Sequence, residues 1–177
     1  GGHVAFVAQC DAPGITLRPC PEFCGLEGTR TLNVRFAEVR VDAEDVLAPP
    51  ADFAAFVARI QPGFILLQVG MAVGIVQACL KVMAQSNRTQ TVTNAWLDDQ
   101  PGALERELAD LRARGLALAE QADAGTAPLL PVLETRLQAS ELALRAAQSA
   151  ALHAGARGYL RRHDAQRLSR EALFLAI

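Results

Sequence analysis

The sequence predicts a mainly α-helical protein in which an antiparallel helical bundle follows a fragment of a β domain. Residues 1–48 show alternating apolar and polar positions broken by turn residues, a pattern typical of short strands. Residues 49–177 carry apolar side chains at spacings of three and four, which is typical of helices with one buried face. The hydrophobic fraction of 51% is high enough for a buried core. We therefore place a domain boundary between residues 48 and 49.

The N-terminal part contains too few predicted strands to close a sheet. Apolar positions alternate along residues 4–9 and again along residues 32–36. The alternation changes parity afterwards, which predicts a bulge or bend near residues 37–38. The prolines within residues 18–21 predict irregular structure there. With only two or three strands, residues 1–48 are expected to be the end of a larger β domain.

Five helical segments are predicted in residues 49–177. Asp52 can cap a short helix that ends before Pro62, and Pro62 fits the first turn of a second helix that runs to about Gln85. A third helix follows Pro101, a fourth precedes the glycines near residue 155, and the last begins near Asp164. The apolar stripe of the third helix is Leu104, Leu108, Leu111, Gly115, Leu118 and Ala122. The stripe predicted for the fourth helix is Leu133, Leu137, Ser140, Leu144, Ala147, Ala151 and Ala154.

The second helix is apolar on nearly every face between residues 64 and 80, a composition that membrane spans share. Gln68 and Gln77 interrupt this stretch, and it is short for the roughly 20 residues that a span needs. Its GxxxG spacing at Gly70 and Gly74 also allows close packing between helices of a soluble bundle. We expect a central bundle helix, a homo-oligomer and no membrane contact.

Charge and cysteine usage exclude several other classes. The formal net charge is −2, and without a basic stripe we expect no nucleic-acid partner. The N-terminus lacks the features of a secretory signal, so a cytoplasmic location and free thiols are expected. Cys20 and Cys24 lie near His3 in sequence, but no second ligand pair follows at a suitable spacing, so no metal site is predicted.

Three ordered stretches resemble the acyl-CoA dehydrogenase family. Residues 13–17, 28–41 and 45–48 are similar to the last strands of its β domain, and residues 70–80 are similar to the first long helix of its C-terminal helical domain. Residues 155–159 resemble the family's Gly-Gly-x-Gly-Tyr loop, and residues 167–172 resemble its Arg-x-x-Arg-Asp-Ala motif at the start of the final helix. Each motif alone is weak, but their order and spacing make the set fairly specific.

The resemblance implies a tetrameric flavoprotein oxidoreductase of fatty acid metabolism, in which FAD is bound between the β domain and the C-terminal helices. In such enzymes a glutamate removes the α proton of an acyl-CoA thioester while flavin N5 accepts the β hydride. The residues that match the family's cofactor-binding motifs are Gly155, Gly158 and Tyr159 of the loop. Arg88 is the nearest match to the arginine that meets the flavin diphosphate.

The sequence departs from the family at several functional positions. The Glu-Gly-Thr motif that carries the base in many members would follow Ile177, and the alternative base position is occupied by Phe64 and Ile65, so no catalytic residue is assigned. Arg88 lacks the Phe-Gly that should follow it, and Leu152 replaces a glutamine, although Gln148 lies one turn earlier.

Each of these residues therefore also has an interpretation in which it serves only the fold and binds no cofactor. Arg88 could be a solvated cation at a helix end, and the glycines a plain break between helices. His153 is expected to be a packed or surface histidine, and the His163-Asp164 pair an exposed helix start.

These observations predict that the chain is part of a flavin-dependent acyl-CoA dehydrogenase-like oxidoreductase that forms dimers or tetramers. We expect residues 1–177 alone to be inactive and to bind FAD weakly or not at all. Two alternatives stay open: a non-catalytic helical module for oligomerisation or partner binding, and a flavin-dependent monooxygenase on the same scaffold.

Overall fold

The computed structural model describes residues 2–26 and 28–176, and the chain divides into two compact units, Gly1–Gln61 and Pro62–Ile177. The predicted fold class is confirmed, since short strands precede a helical bundle. The described strands are β1 (Ala5–Phe6), β2 (Ile15–Pro19), β3 (Leu32–Phe36) and β4 (Val46–Ala48), with a single 3-10 turn at Ala43–Asp45. The helices are α1 (Phe53–Asn94), α2 (Pro101–Asp123), α3 (Leu129–Ala154) and α4 (Asp164–Leu175), and a 3-10 segment, Gly155–Tyr159, separates the last two.

The strands of the N-terminal unit form two separate antiparallel pairs. β2 lies beside β3, with Ile15 opposite Phe36 and Pro19 opposite Leu32, and β1 lies beside β4. The irregular structure predicted for residues 18–21 is wrong at its start, because β2 continues through Pro19. A strand that ends at an edge tolerates a proline, which cannot donate to a neighbour. The predicted bend is confirmed: β3 ends at Phe36, and Glu38 has a φ of 52°.

Helix α1 runs without a break through Pro62, so the prediction of two helices meeting at Pro62 is wrong. A proline removes one backbone hydrogen bond, but its fixed φ is compatible with a helix, so Pro62 interrupts the ladder without ending it. The helix also continues past the predicted end at Gln85. Its last turns bend at Gln90, whose φ of −126° and ψ of 26° are not helical. Thr91 beside this bend donates its hydroxyl hydrogen to the carbonyl of Asn87, a bond that competes with regular helix geometry.

The predicted stripe of α2 is confirmed, while the stripe of α3 is partly wrong. Leu104, Leu108, Leu111 and Leu118 of α2 are all buried. On α3, by contrast, Leu133 and Leu137 are 43% and 55% exposed. The buried face of α3 is made instead mainly of small side chains, together with Val132, Thr135, Leu142 and His153. Small residues let the helix axis approach its neighbours, and Thr135 satisfies its hydroxyl by donating to the Pro131 carbonyl at 2.7 Å.

The core of the C-terminal unit is formed by buried side chains from all four helices. The largest of these that are fully enclosed are Val76, Cys79, Met83, Leu104, Leu111, Val132, Thr135, His153 and Leu168. By length and composition alone α1 could cross a membrane, and 33% of its most apolar 18-residue window is buried. A core helix of a soluble protein has the same composition.

Candidate functional site

The glycine-rich connection between α3 and α4 reverses the chain within a few residues. Gly155 ends α3 with a φ of 59° and a ψ of −145°, a conformation that side chains disfavour. At Gly158 the restriction is steric, because a Cβ would lie 2.9 Å from the Ala151 carbonyl oxygen and 3.1 Å from the Ala154 Cβ. Gln166 of α4 donates to the Gly158 carbonyl at 2.7 Å, which ties the connection to the last helix.

Helix α4 begins as the sequence predicted. The Nδ1 atom of His163 accepts a hydrogen bond of 3.1 Å from the backbone N–H of Ala165, so His163 caps the helix. Asp164 in the first turn pairs with Arg167, which also pairs with Glu171 at 2.8 Å. The interpretation of His163 and Asp164 as a helix start is therefore confirmed.

The four predicted cofactor-binding residues lie in two neighbouring segments. Arg88 is exposed on α1, two residues before the bend at Gln90. The Gln90 side chain reaches the glycine connection, since its Oε1 atom would lie 3.7 Å from a Cβ built on Gly155. Tyr159 is 89% exposed and Gly158 is buried. The structure thus brings the end of α1 next to Gly155, and it leaves Arg88 and Tyr159 open to solvent.

A polar network beside this connection was not predicted from the sequence. His153 of α3 is fully buried; its Nδ1 atom lies 2.8 Å from Asn87 Oδ1 and its Nε2 atom lies 2.9 Å from the Asp99 carbonyl oxygen. Asn94 at the end of α1 donates to Asn87 Oδ1 at 2.8 Å and to the His153 carbonyl at 3.1 Å. The signal in the sequence that could have indicated this network is the presence of one histidine and two asparagines within helical, largely apolar segments. Polar side chains that are buried in such segments are hydrogen bonded.

Charged side chains extend this network toward the surface. Asp99 accepts a hydrogen bond of 2.6 Å from the Ser149 hydroxyl, and its other carboxylate oxygen lies 3.4 Å from Arg145 Nε. Arg145 also pairs with Glu107 of α2, and this hydrogen bond raises the pKa of the arginine. The connection between α1 and α2 is thus anchored to α3 by side chains of both charges.

The same connection borders an open cleft of about 300 Å³. Trp96, Leu97, Asp98 and Asp99 form one wall, and the other wall comes from α3 through Gln148, Ser149, Leu152 and His153. Leu152 and Gln148, the two positions compared with the family's glutamine, therefore face a single cleft. Its mixture of an exposed indole, apolar side chains and carboxylates suits a ligand with both a flat apolar part and polar edges.

Other candidate chemistry is sparse in the described residues. Within the described residues, 2–26 and 28–176, no group of three or more His, Cys, Asp or Glu side chains could hold a metal ion. Cys10, Cys20, Cys24 and Cys79 are free thiols. Burial raises the pKa of the Cys79 thiol to about 12, so this buried group stays protonated and unreactive.

The fold defines a class, a bundle of four helices whose last two are joined by a glycine-rich connection. The family model for the acyl-CoA dehydrogenase C-terminal domain matches residues 66–177, and the chain belongs to the acyl-CoA dehydrogenase family. The resemblance stated from the sequence is thereby confirmed.

Individual relatives agree with this assignment. The chain is 28% identical, over an alignment 183 positions long, to a probable acyl-CoA dehydrogenase, YngJ, of Bacillus subtilis (strain 168), and the match covers 98% of the chain and 47% of the relative. The structure of butyryl-CoA dehydrogenase from Megasphaera elsdenii superposes with a TM-score of 0.81 at 21% identity, over 99% of the chain and 48% of that protein. TdsC from Paenibacillus sp. A11-2, solved with FMN and indole, superposes with a TM-score of 0.83 at 19% identity, over 98% of the chain and 51% of TdsC. The chain thus spans about half the length of these relatives.

Proposed function

We propose that the chain forms the C-terminal half of a flavin-dependent acyl-CoA dehydrogenase-like oxidoreductase. The observation that carries this proposal is the family match over residues 66–177, which includes the glycine connection and the whole of α2 and α3. In the complete subunit the substrate would be an acyl-CoA thioester. The thioester would lose its α proton to a base and its β hydride to FAD, which leaves an α,β-unsaturated product and reduced flavin.

We propose that Arg88, Gly155, Gly158 and Tyr159 belong to the flavin site. Two observations support this assignment: the Gln90 side chain, two residues after Arg88, lies close to Gly155, and the Arg88 and Tyr159 side chains are exposed. Gly155 is half-buried and carries no Cβ, so its backbone can approach a ligand closely, while Gly158 lets the connection pack against the end of α3. No residue of this chain is proposed as the base, because the position of Phe64 and Ile65 holds only hydrocarbon.

The glycines are poor probes of flavin binding because both are also needed for the fold, so the exposed residues provide the sharper test. We expect Arg88→Gln and Tyr159→Ala to lower FAD retention in the complete subunit while leaving its unfolding temperature nearly unchanged. Arg112→Gln is the matched control, because Arg112 is an exposed arginine on α2, and this variant should retain the cofactor. Equal FAD affinity in all four proteins would remove Arg88 and Tyr159 from the proposed site.

The reaction is tested by adding acyl-CoA thioesters anaerobically to the flavin-loaded subunit. Bleaching of the oxidised flavin absorbance, with one enoyl product formed per flavin, is the expected result. Flavin that stays oxidised with every thioester, but supports oxygen-dependent turnover once reduced, would favour the monooxygenase alternative. A complete subunit that retains no flavin would favour the non-catalytic helical module.

Residues 1–177 by themselves are proposed to be inactive and to bind FAD weakly or not at all. The chain spans about half the length of its relatives, so a flavin bound to it would lack part of the surrounding protein. A titration of FAD into the purified 177-residue chain should show no saturable change in flavin fluorescence at micromolar protein. Stoichiometric yellow flavin retained through gel filtration would contradict this.

We further propose a cytoplasmic homo-oligomer, dimer or tetramer, with neither a membrane nor a nucleic acid as partner. The proposal is supported by the net charge of −2 and by the exposed apolar side chains on α1, which another protein surface would cover. We also propose that residues 1–48 end a β domain and that residues 49–177 form the helical domain.

A further inference from the structure

Helix α1 bends at Gln90, and side chains on both sides of the bend meet a single residue of α3. Asn87 precedes the bend, and its Oδ1 atom lies 2.8 Å from Nδ1 of His153. Asn94 follows the bend and donates to the His153 carbonyl oxygen at 3.1 Å. His153 is fully buried, so its ring is fixed by packing as well as by these contacts. The last turn of α3 therefore holds α1 before and after its bend.

Asn87 also connects the two sides of the bend directly. Its Oδ1 atom accepts a hydrogen bond of 2.8 Å from Nδ2 of Asn94, and its backbone carbonyl accepts from the Thr91 hydroxyl. Both donors follow Gln90, whose φ of −126° departs from helical geometry. At such a bend the regular backbone ladder no longer fixes the direction of the last turns, so side-chain bonds across the bend decide it.

Two segments proposed for the flavin site flank these contacts. Arg88 is the next residue after Asn87 and is exposed. The Gln90 side chain lies close to Gly155, two residues after His153, since its Oε1 atom would be 3.7 Å from a Cβ built on the glycine. The contact of Asn87 with α3 thus joins the segment that carries Arg88 to the segment that carries Gly155.

We propose that Asn87 is a positioning residue of the flavin site, which fixes the bend of α1 so that Arg88 is held at one place relative to Gly155. This role rests on the proposed function, because it concerns the site to which Arg88 is assigned there. Asn87 itself does not touch the cofactor, since its side-chain oxygen is already used by His153 and Asn94. An arginine binds an anion more tightly when its backbone is held in place, because less freedom is lost on binding.

A double-substitution cycle in the complete subunit tests the role of Asn87, with the Kd for FAD and the unfolding temperature of the cofactor-free protein as readouts. Asn87→Ala should raise the Kd by about tenfold, the usual loss when a hydrogen bond to a charged group is weakened. The variant should still fold, because alanine favours the helix and the half-buried position lets water reach the groups that lose Asn87. Added to Arg88→Gln, the same substitution should weaken FAD binding no further, since it acts through Arg88.

Ser140→Ala is the matched control, because Ser140 lies on α3, is buried and donates to the Leu175 carbonyl at 2.8 Å. It should lower the unfolding temperature without changing the Kd for FAD. A Kd that Asn87→Ala leaves unchanged, raises by the same factor with and without Arg88→Gln, or raises no more than Ser140→Ala does would overturn the positioning role. If the complete subunit binds no FAD, or if Arg88→Gln alone leaves the Kd unchanged, the proposed flavin site is wrong and the positioning role is rejected with it.

Discussion

At the scale of single residues, Gly155 and Gly158 need glycine for two different reasons. The φ of 59° at Gly155 penalises any Cβ, whereas at Gly158 a Cβ would press against the Ala151 carbonyl at 2.9 Å. We expect Gly155→Ala to cost about 1 kcal/mol of unfolding free energy through backbone strain. Gly158→Ala should cost about 1–3 kcal/mol, because helix backbone must shift to make room. Urea unfolding of both variants measures these values.

Gly70→Ala is the matched control for the two substitutions. Gly70 lies inside α1, is exposed, and has nothing within 4 Å of a built Cβ. Alanine there should leave the unfolding free energy unchanged or raise it by up to about 1 kcal/mol, since it favours the helix. Stability losses of similar size at Gly70, Gly155 and Gly158 would show that the conformation of the α3–α4 connection is not what requires glycine.

A second prediction for single residues concerns the cysteines. Cys10 and Cys24 are exposed and Cys79 is buried, with a pKa raised to about 12 chiefly by burial, so little thiolate forms at Cys79 near neutral pH. A thiol-specific reagent should label Cys10 and Cys24 quickly in the native protein and reach Cys79 only after unfolding. In Cys79→Ala the native labelling should be unchanged and the denatured total should fall by one. Rapid native labelling of Cys79 would contradict its burial.

At the scale of elements, the rotation of α3 about its axis is the most informative difference from the sequence prediction. Leu137 belongs to the predicted stripe and is 55% exposed, while Leu142 lies outside that stripe and is 6% exposed. We expect Leu142→Ala to cost about 2–5 kcal/mol, the range for a buried leucine. Leu137→Ala should cost about 0.5 kcal/mol or less, because its side chain is mostly in solvent.

Thermal or urea unfolding of the two variants checks the rotation of α3. Both substitutions remove the same atoms from the same helix, so differences in helix propensity cancel. A larger loss of stability for Leu137→Ala than for Leu142→Ala would mean that the predicted stripe faces the core after all, or that Leu137 is buried by a partner in solution. Repeating the measurement at several protein concentrations separates these two cases.

At the scale of the whole molecule, one face of α1 is left uncovered by the residues that the structure describes. Phe64, Leu67 and Met71 follow one another at helical spacing and are 65%, 69% and 40% exposed. We expect this face to mediate self-association, because a row of exposed large apolar side chains is costly in water. Leu67→Glu should shift the sedimentation of the protein toward the monomer without changing its helix content.

Val92→Glu is the control for this prediction, since Val92 is 81% exposed on the same helix but lies far along it. It should sediment like the unsubstituted protein. A monomer at all concentrations before any substitution, or an equal shift for both variants, would contradict the role of the Phe64–Met71 face.

The fold class, the family and most of the element order could be predicted from the amino-acid sequence, because these follow from local patterns. Each of these patterns involves residues only a few positions apart in sequence. Examples are the alternation in residues 32–36, the leucine stripe of α2 and the glycines at 155 and 158. The resemblance to acyl-CoA dehydrogenases rested on the same local motifs and their order. Such signals need no knowledge of which distant segments meet.

The continuity of α1 through Pro62, the rotation of α3 and the network around His153 became visible only in the folded chain. Proline suits both the first turn and, at a cost, the interior of a helix, so the sequence did not distinguish these two cases at Pro62. The rotation of α3 and the His153 network depend on contacts between segments far apart in sequence, as in the hydrogen bonds from His153 to Asn87 and Asp99. A buried stripe predicted from the sequence is drawn through the leucines, because leucine is more apolar than alanine or threonine. The buried face of α3 was set instead by how closely its small side chains can approach neighbouring helices, and packing of that kind is decided only when the helices meet.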